Sequence, residues 1–568
     1  MSDVKTTMVN TVGQPVPAKT RLSVIRKATM DTLHALTAAE LKDPTVVESR
    51  VLQAVHNEIE LENAVRKASK QDTWKHINEL MPSQIADIIV YSYPICRIAG
   101  AGKNADEDQD ILAIYQYSGE AEGTYVTSNV MFRQLMRSYN YAITSKQAEE
   151  VTQAMMEQLP RVTVCKERNL VAVNNGIFDY DTKTLSPFDP NYVFLTKSGV
   201  NYNPNATNPV IHNDDDGTDW DVESWMKELS DDPEIVNLLW EIIGAIIRPL
   251  VPWNKSAWFY SETGNNGKGT LCELMRQIVG DGTYASIQLS EFSKDFMLEP
   301  LLRSSAIIVD ENDVGTYIDK AANLKAVITG DVLSINRKYK APVAFQFRGF
   351  MVQCLNEMPR IKDRSDSFYR RQLFIPFTKC FTGVERKYIK EDYLKRKDVL
   401  EYVLKRVLNM NYYTLSEPAA CKNALEEYKD FVDTTRSFMQ EIMPKLQWTL
   451  VPFDFLFDLY KVWYKDTVGN DHNQKSKPGF VKDVKQIVMS SYPEWEVCMN
   501  PVRPASNMNA TEPLIYEYRL DKWKNPSYHG TDIEKICHPT LSTSYRGIRK
   551  TGLPYSMRNK ASDGDDDE

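Results

Sequence analysis

Apolar positions recur three and four residues apart from about Leu22 to Glu79, most clearly in Thr32-Leu33-His34-Ala35-Leu36 and Val51-Leu52-Gln53-Ala54-Val55, and this spacing predicts helices. Past a Gly- and Asp-rich break at 100–110 the pattern becomes mixed. Ile111-Leu112-Ala113-Ile114-Tyr115 and Leu170-Val171-Ala172-Val173 predict strands, with helices expected over 132–139 and 145–157. A second break at 203–221 is rich in Pro, Asn and Asp. Helix returns over 221–248, and from 253 to about 377 apolar strands alternate with helices, the pattern of an α/β sheet. Further helices are expected over 391–408 and 422–443. The final segment predicts two helices, 453–465 and 480–490. Strand signals follow at Trp495-Glu496-Val497-Cys498-Met499 and Leu514-Ile515-Tyr516-Glu517-Tyr518-Arg519, which together suggest a winged helix. Residues 1–20, with Pro15 and Pro17, read as a flexible arm, and Asp563-Gly564-Asp565-Asp566-Asp567-Glu568 as an acidic tail.

Composition narrows the class. The 568 residues suffice for about three or four domains, and 42% hydrophobic with 26% charged residues is ordinary for a soluble globular protein. The longest apolar run, Leu238-Leu239-Trp240-Glu241-Ile242-Ile243-Gly244-Ala245-Ile246-Ile247, carries Glu241 and stops at Arg248-Pro249, well short of the roughly 20 residues a membrane span needs. No membrane partner is expected. The first residues lack the apolar core of a secretory signal, so a cytoplasmic location is expected, bacterial if a phage or plasmid encodes the chain. The eight cysteines form no Cys-x-x-Cys pair and predict neither a zinc site nor a disulfide frame. A net charge of −9 argues against coating nucleic acid with the whole surface but leaves room for a local basic channel.

The chemistry centres on Tyr260-Ser261-Glu262-Thr263-Gly264-Asn265-Asn266-Gly267-Lys268-Gly269-Thr270, set between an apolar strand signal and the helical run Leu271-Cys272-Glu273-Leu274-Met275. In such a loop, backbone N–H groups from Gly264, Asn265, Asn266, Gly267, Lys268, Gly269 and Thr270 converge on a polyphosphate at a helix N-terminus, and Lys268 reaches the outer phosphates. The hydroxyl that normally follows the lysine to hold magnesium is replaced by Gly269, which leaves Thr270 one position later, and Glu262 replaces the first glycine. Forty-two residues after Lys268 an apolar strand, Ala306-Ile307-Ile308-Val309, ends in Asp310-Glu311. The pair is either an acidic turn at the end of an ordinary core strand or a catalytic pair in which Asp310 holds Mg²⁺ and Glu311 polarises an attacking water.

A second apolar strand, Phe350-Met351-Val352-Gln353-Cys354-Leu355, ends in Asn356, whose amide can orient the same water or sense the γ-phosphate. Arg370-Arg371, just before Gln372-Leu373-Phe374-Ile375, is either a solvated edge or a finger that reaches a neighbour's nucleotide. Between the two strands, Leu333-Ser334-Ile335-Asn336 alternates toward the basic, aromatic tip Arg337, Lys338, Tyr339 and Lys340 and returns after Pro342. That is a hairpin suited to a single nucleic-acid strand, or a plain solvated turn.

This set of motifs, within about 110 residues, resembles a superfamily III helicase of the AAA+ class, and above all the phage and plasmid primase-helicase family that includes the poxvirus helicase-primase. Gly330-Asp331, Asn356-Glu357-x-Pro359 and Arg370-Arg371-x-x-x-Ile375-Pro376-Phe377 carry the likeness. So do Val171-Ala172-Val173-Asn174-Asn175-Gly176-Ile177-Phe178-Asp179 and Leu185-Ser186-Pro187 before the motor. The resemblance spans roughly residues 110–410, and weakly the C-terminal end, and implies an AAA+ P-loop motor with a helical collar at 221–410, preceded by an α/β domain (101–220) and followed by a winged-helix-like domain (411–560); the helical region at 21–100 is read from periodicity alone. The resemblance further implies ATP and Mg²⁺ as cofactors, a homo-hexameric ring around single-stranded or forked DNA, movement 3′ to 5′, and Arg370 or Arg371 acting in trans.

A primase site would need clustered carboxylates on a strand. Asp106-Glu107-Asp108-Gln109-Asp110 and Asp214-Asp215-Asp216 read as flexible loops instead, so any primase is expected as a separate host or phage partner. From 451 to 560, sixteen Lys and Arg stand against twelve Asp and Glu, with Lys475, Lys477, Lys482 and Lys485 around one helix, a distribution suited to origin duplex DNA. The leading expectation is an ATP-dependent replicative helicase and initiator of a phage, plasmid or phage satellite. The alternatives are an ATP-regulated origin-binding scaffold that does not unwind, and a primase-helicase with an unrecognised primase site.

Overall fold

Val47, Val51, Val55 and Ile59 repeat every fourth residue and are all fully buried, which makes Pro44–Ala68 the central helix of the first core. Asp43 caps it by accepting from the Thr45 and Val46 N–H groups, and Pro44 opens its first turn. The computed structural model describes residues 19–102, 107–313, 315–318, 320–338, 340–468, 474–538 and 544–551. The arm before residue 19 and the acidic tail lie outside them. Contacts divide the described residues into two compact units. One runs to Cys421 without Arg364–Asp366, and the other takes those three residues and the chain from Lys422 onward.

In the first unit, helices Arg21–Ala35, Pro44–Ala68, Pro82–Ser92, Asn129–Tyr139 and Ser145–Gln158 share one core built on Ile25, Val51, Ile85, Met136, Val151 and Met155. Beside them lies a four-stranded sheet in the order Tyr125–Val126, Ile111–Tyr115, Ile95–Ile98, Arg161–Val162, whose last pair is parallel. Asp110 is no part of a flexible loop. Its carboxylate is fully buried, accepts from Arg97 Nε (2.7 Å) and Arg161 Nη2 (2.8 Å), and also takes the Gly100 N–H (3.1 Å). Glu107 pairs with Arg97 as well (2.6 Å). Asp216 likewise sits in a defined hairpin turn, where it accepts from Thr218 Oγ1 and the Tyr388 hydroxyl. An acidic run beside glycine reads as loop only until its arginine partners arrive from other strands.

The rest of the unit is organised by five parallel strands, β1 (Ser256–Tyr260), β2 (Tyr284–Ala285), β3 (Ala306–Val309), β4 (Phe350–Leu355) and β5 (Gln372–Pro376). Their order across the sheet is β2-β3-β4-β1-β5. One face, with Ala257, Phe259, Ala306, Ile308, Val352, Cys354 and Ile375, packs on Leu271, Leu274, Met275 and Ile278 of helix α1 (Lys268–Val279) and on helices Pro233–Ile246 and Lys397–Leu408. The other face carries Trp258 against Phe368 and Phe374. Burial on both faces explains why these strands are continuous apolar runs rather than alternating ones.

The second unit packs helices Thr434–Ile442, Phe453–Val468 and Lys477–Ser491 around Phe438, Trp448, Leu459, Tyr460 and Phe480. Trp495–Val497 is a strand, as expected, but its partner is Gly547–Lys550, with Leu450–Pro452 on the far side. The expected strand over 514–519 is instead a short helix, Leu514–Glu517. Leu514, Ile515 and Tyr518 are buried while Tyr516 and Glu517 are exposed, a helical rather than alternating set, and Pro513 precedes the first turn. The basic cluster is also partly spent. Lys475 is paired with Asp433 (2.8 Å) and Asp483, and Lys477 with Asp454 (2.6 Å).

Candidate nucleotide site

The loop after β1 is held from outside and open toward its helix. Phe381 N donates to the Asn265 carbonyl (2.7 Å), and Asn265 Nδ2 donates to Glu385 Oε1 (3.0 Å) and Thr382 Oγ1 (3.2 Å). Buried Asn266 donates to the Thr263 carbonyl within the loop. Gly267 caps α1 with φ +85°, and a Cβ there would meet Leu229 Cδ2 at 2.6 Å, so glycine is required twice over. Gly264 has open space around it, whereas a Cβ on Gly269 would stand 3.9 Å from Lys390 Nζ. Lys390, on the short helix Lys387–Glu391, thus brings a second cation to the start of α1 that no motif marks.

Lys268 is 5% exposed, and its Nζ is buried without a hydrogen-bond partner. Burial holds its ammonium below the ordinary lysine range. An ammonium kept from water with no counter-charge is costly. It lies in the first turn of a 12-residue helix, where the backbone dipole adds further positive potential. A phosphate chain supplies the missing partner, so the loop fits a nucleoside triphosphate.

Asp310 and Asn356 continue the parity of Ile308 and of Val352 and Cys354, the positions that face α1. The start of the loop is joined to β4, since Ser261 N donates to the Leu355 carbonyl (3.1 Å), which sets Asn356, exposed, beside it. Asp310 is not free. Arg276, on α1, grips it with Nη2···Oδ1 at 2.9 Å and Nη1···Oδ2 at 3.2 Å, and its guanidinium also lies 5.8 Å from the Tyr284 ring centre. The hydrogen bonds from Arg276 hold the Asp310 carboxyl below its usual range against the opposing effect of burial. Residue spacing did not reveal Arg276, because a single arginine on an amphipathic helix carries no signal until its partner is known.

Glu311 is exposed just beyond β3, next to a residue that anchors the turn. Asn312, buried, donates from Nδ2 to Gln353 Oε1 (2.9 Å) and to the Cys354 carbonyl (3.1 Å), and its Oδ1 accepts from Leu289 N (2.9 Å). Thr270 lies half-buried in the first turn of α1. Among the described residues no group of three His, Cys, Asp or Glu could hold a metal alone. One hydroxyl and one carboxylate fit a magnesium ion that takes its other ligands from water and nucleotide phosphate, provided Asp310 leaves Arg276.

Arg370 and Arg371 do not join this group within one chain. Ser256 N donates to the Arg371 carbonyl (2.8 Å), and the register pairs Ser256 with Gln372 and Tyr260 with Pro376, so both arginines stand at the amino edge of the sheet. The phosphate loop leaves from the carboxyl edge, about 13 Å away along β1. Arg371 turns inward, Nη1 donating to the Ser367 carbonyl, while Arg370 is exposed. The hairpin forms from strands Val332–Arg337 and Lys340–Gln346 with a register shift between Ile335 and Arg337. Leu333 and Ile335 face inward, Lys338 is exposed at the tip, and Tyr339 lies outside the described residues.

Two family models match: "D5 N terminal like" over residues 98–230 and "Family of unknown function (DUF5906)" over 259–371, the stretch from β1 to the edge of β5. A protein named "Putative helicase" from Acanthamoeba polyphaga mimivirus is 22% identical over 360 residues, covering 57% of this chain and 35% of the relative. A second of that name from Invertebrate iridescent virus 3 is 20% identical over 362 residues, 56% of this chain and 37% of the relative. The chain thus spans about a third of the length of the curated relatives it matches. Among solved structures, the apo NrS-1 C terminal region aligns at 13% identity with a TM-score of 0.40, covering 75% of this chain and 98% of that one.

Proposed function

We propose that this chain is an ATP-dependent DNA helicase of the superfamily III type that works at replication initiation of a phage, plasmid or phage satellite. The observation that carries this reading is the buried, unpartnered Lys268 ammonium at the head of α1, beside strand ends that present Asp310, Glu311 and Asn356. The viral relatives named as helicases support it at the level of the family. Lys268 and the N–H groups from Gly264 to Thr270 bind the phosphates of ATP. Thr270 and Asp310 would hold Mg²⁺, which would supply neutralisation of phosphate charge. Glu311 polarises the attacking water and Asn356 orients it.

Arg370 or Arg371 completes the site of the adjacent subunit, a role that fits their distance from their own loop and calls for a ring, taken here as a homo-hexamer. The hairpin tip from Arg337 to Lys340 meets single-stranded DNA, and the C-terminal unit acts as a winged-helix-like DNA or scaffold module. Steady ATP turnover stimulated by single-stranded DNA and accompanied by unwinding of forked DNA is expected, with Lys268→Ala and Glu311→Gln each losing at least a hundredfold in kcat. Turnover unchanged in both variants would remove the site assignment, and turnover without unwinding would favour the scaffold reading.

A further inference from the structure

Behind the hairpin lies a cavity of about 1890 Å³, bounded on one side by the ends of Ile95–Ile98 and Arg161–Val162, the helix Asn129–Tyr139 and residues 193–198. Its other wall comes from Arg303, the return strand of the hairpin and Arg348. Gln109 Oε1 accepts from Ala344 N (3.1 Å) and fastens that strand to the 107–109 turn. The volume is roughly twice the upper end of the range for small-molecule sites, about 1,000 Å³. A polymer fits it better than a metabolite does.

Charge says which polymer. Arg133, Lys166, Lys197, Arg303, Arg337 and Arg348 line the space, against Asp108, Glu149 and Glu299, because Asp110 is already held by Arg97 and Arg161. Lys197 and Arg348 are the informative pair. Both are half-buried, and their hydrogen bonds are long contacts to neutral acceptors, Lys197 Nζ to the Asn174 carbonyl and Arg348 Nη2 to Gln346 Oε1, each at 3.4 Å. Burial lowers the proton affinity of both, offset only in part by Glu122 near Lys197 and by Cys165 near Arg348. Half-buried cations whose hydrogen bonds are long and reach only neutral acceptors are stabilised by an incoming anion. Thr127, Ser128, Thr163 and Thr196 add hydroxyl donors around the same space.

We infer that this cavity is a second single-strand site, in which Lys197 and Arg348 grip the sugar–phosphate backbone of DNA that has passed the hairpin. It rests on the reading of the hairpin as DNA-facing. The strand then runs between the motor and the 98–198 region instead of touching the hairpin tip alone, and that region becomes part of the DNA grip.

The test is the anisotropy of a fluorescent oligothymidylate on the full chain across a salt series, for the wild type, Lys197→Gln/Arg348→Gln, Lys197→Glu/Arg348→Glu and Lys338→Ala. The double variants are expected to weaken binding at least tenfold and to flatten the salt dependence by about 1.4 in log K against log salt, as loss of two phosphate contacts requires. DNA-free ATP turnover should stay within twofold. Unchanged affinity in both double variants while Lys338→Ala weakens binding overturns the cavity site and leaves the hairpin reading intact. Unchanged affinity in all of them overturns both. Should a double variant fail to fold, photocrosslinking of the wild type with an iodouracil-bearing oligonucleotide decides. Crosslinks within 127–133 or 193–198 support the site, and crosslinks confined to the hairpin overturn it.

Discussion

The Lys268 ammonium is buried without a hydrogen-bond partner, and this unusual burial gives a measurement that separates binding from folding. Lys268→Met removes a buried charge while keeping most of the side-chain volume. The variant is therefore expected to melt at or above the wild-type temperature in the absence of nucleotide. Saturating ATP analogue should raise the wild-type melting point, by about 2.7 kcal/mol of added stability at a hundred times Kd, and leave the variant where it was. A destabilised variant that still responds to nucleotide would mean that the lysine faces the core for structural reasons. Lys268 was legible in the chain because loop, strand and helix signals coincide on eleven consecutive residues. Arg276 and Lys390 were not, since each gains meaning only from a residue far away in sequence, Asp310 in one case and Gly269 in the other.

Among the elements, β1, β3, β4 and β5 could be read directly, because strands buried on both faces are mostly apolar, and β3 and β4 end at the polar residues of the candidate site. What could not be read is the set of polar locks between elements. Asn312 ties the turn after β3 to β4, and Asn312→Ala strands Gln353 Oε1, the Cys354 carbonyl and Leu289 N in a buried place. A loss of roughly 2–3 kcal/mol in unfolding free energy is expected. Because Glu311 immediately precedes Asn312 in that turn, the proposed role of Glu311 predicts that kcat falls while KM for ATP stays within a few-fold; an unchanged kcat would break that link.

Asp110 is the corresponding lock in the N-terminal sheet. Burial works to raise its carboxyl, but hydrogen bonds from Arg161, Gly100 N and Arg97 hold it below the usual range. Its contribution is therefore full above the unfolded carboxylate value of about 4 and is lost as pH falls through the lower folded value. Asp110→Asn should cost roughly 2–3 kcal/mol at neutral pH and flatten the acid limb of the stability curve. An acid limb identical to wild type would place that dependence elsewhere. The strand expected over 514–519 failed for a related reason. Tyr and Ile favour strands, yet Pro513 and the burial of Leu514, Ile515 and Tyr518 on one side decide for a helical turn.

For the whole molecule, the sheet has two ends with different chemistry. Its carboxyl edge holds the phosphate loop, Asp310, Glu311 and Asn356, and its amino edge holds Arg370 and Arg371. The two edges stand about 13 Å apart along β1, so under the proposed function the arginines serve the site of a neighbouring copy. Arg370 is exposed and Arg371 turns inward, so the proposal assigns the contact across subunits to Arg370. ATP turnover of mixed assemblies tests this directly. Lys268→Ala and Arg370→Ala proteins, each expected to be inactive alone, are combined over a range of ratios with single-stranded DNA present. Recovery is expected to peak near equal amounts, where random assortment rebuilds roughly a quarter of the interfaces with an intact loop on one side and an intact arginine on the other. No recovery at any ratio, or full turnover by Arg370→Ala alone, would contradict a nucleotide site shared between subunits.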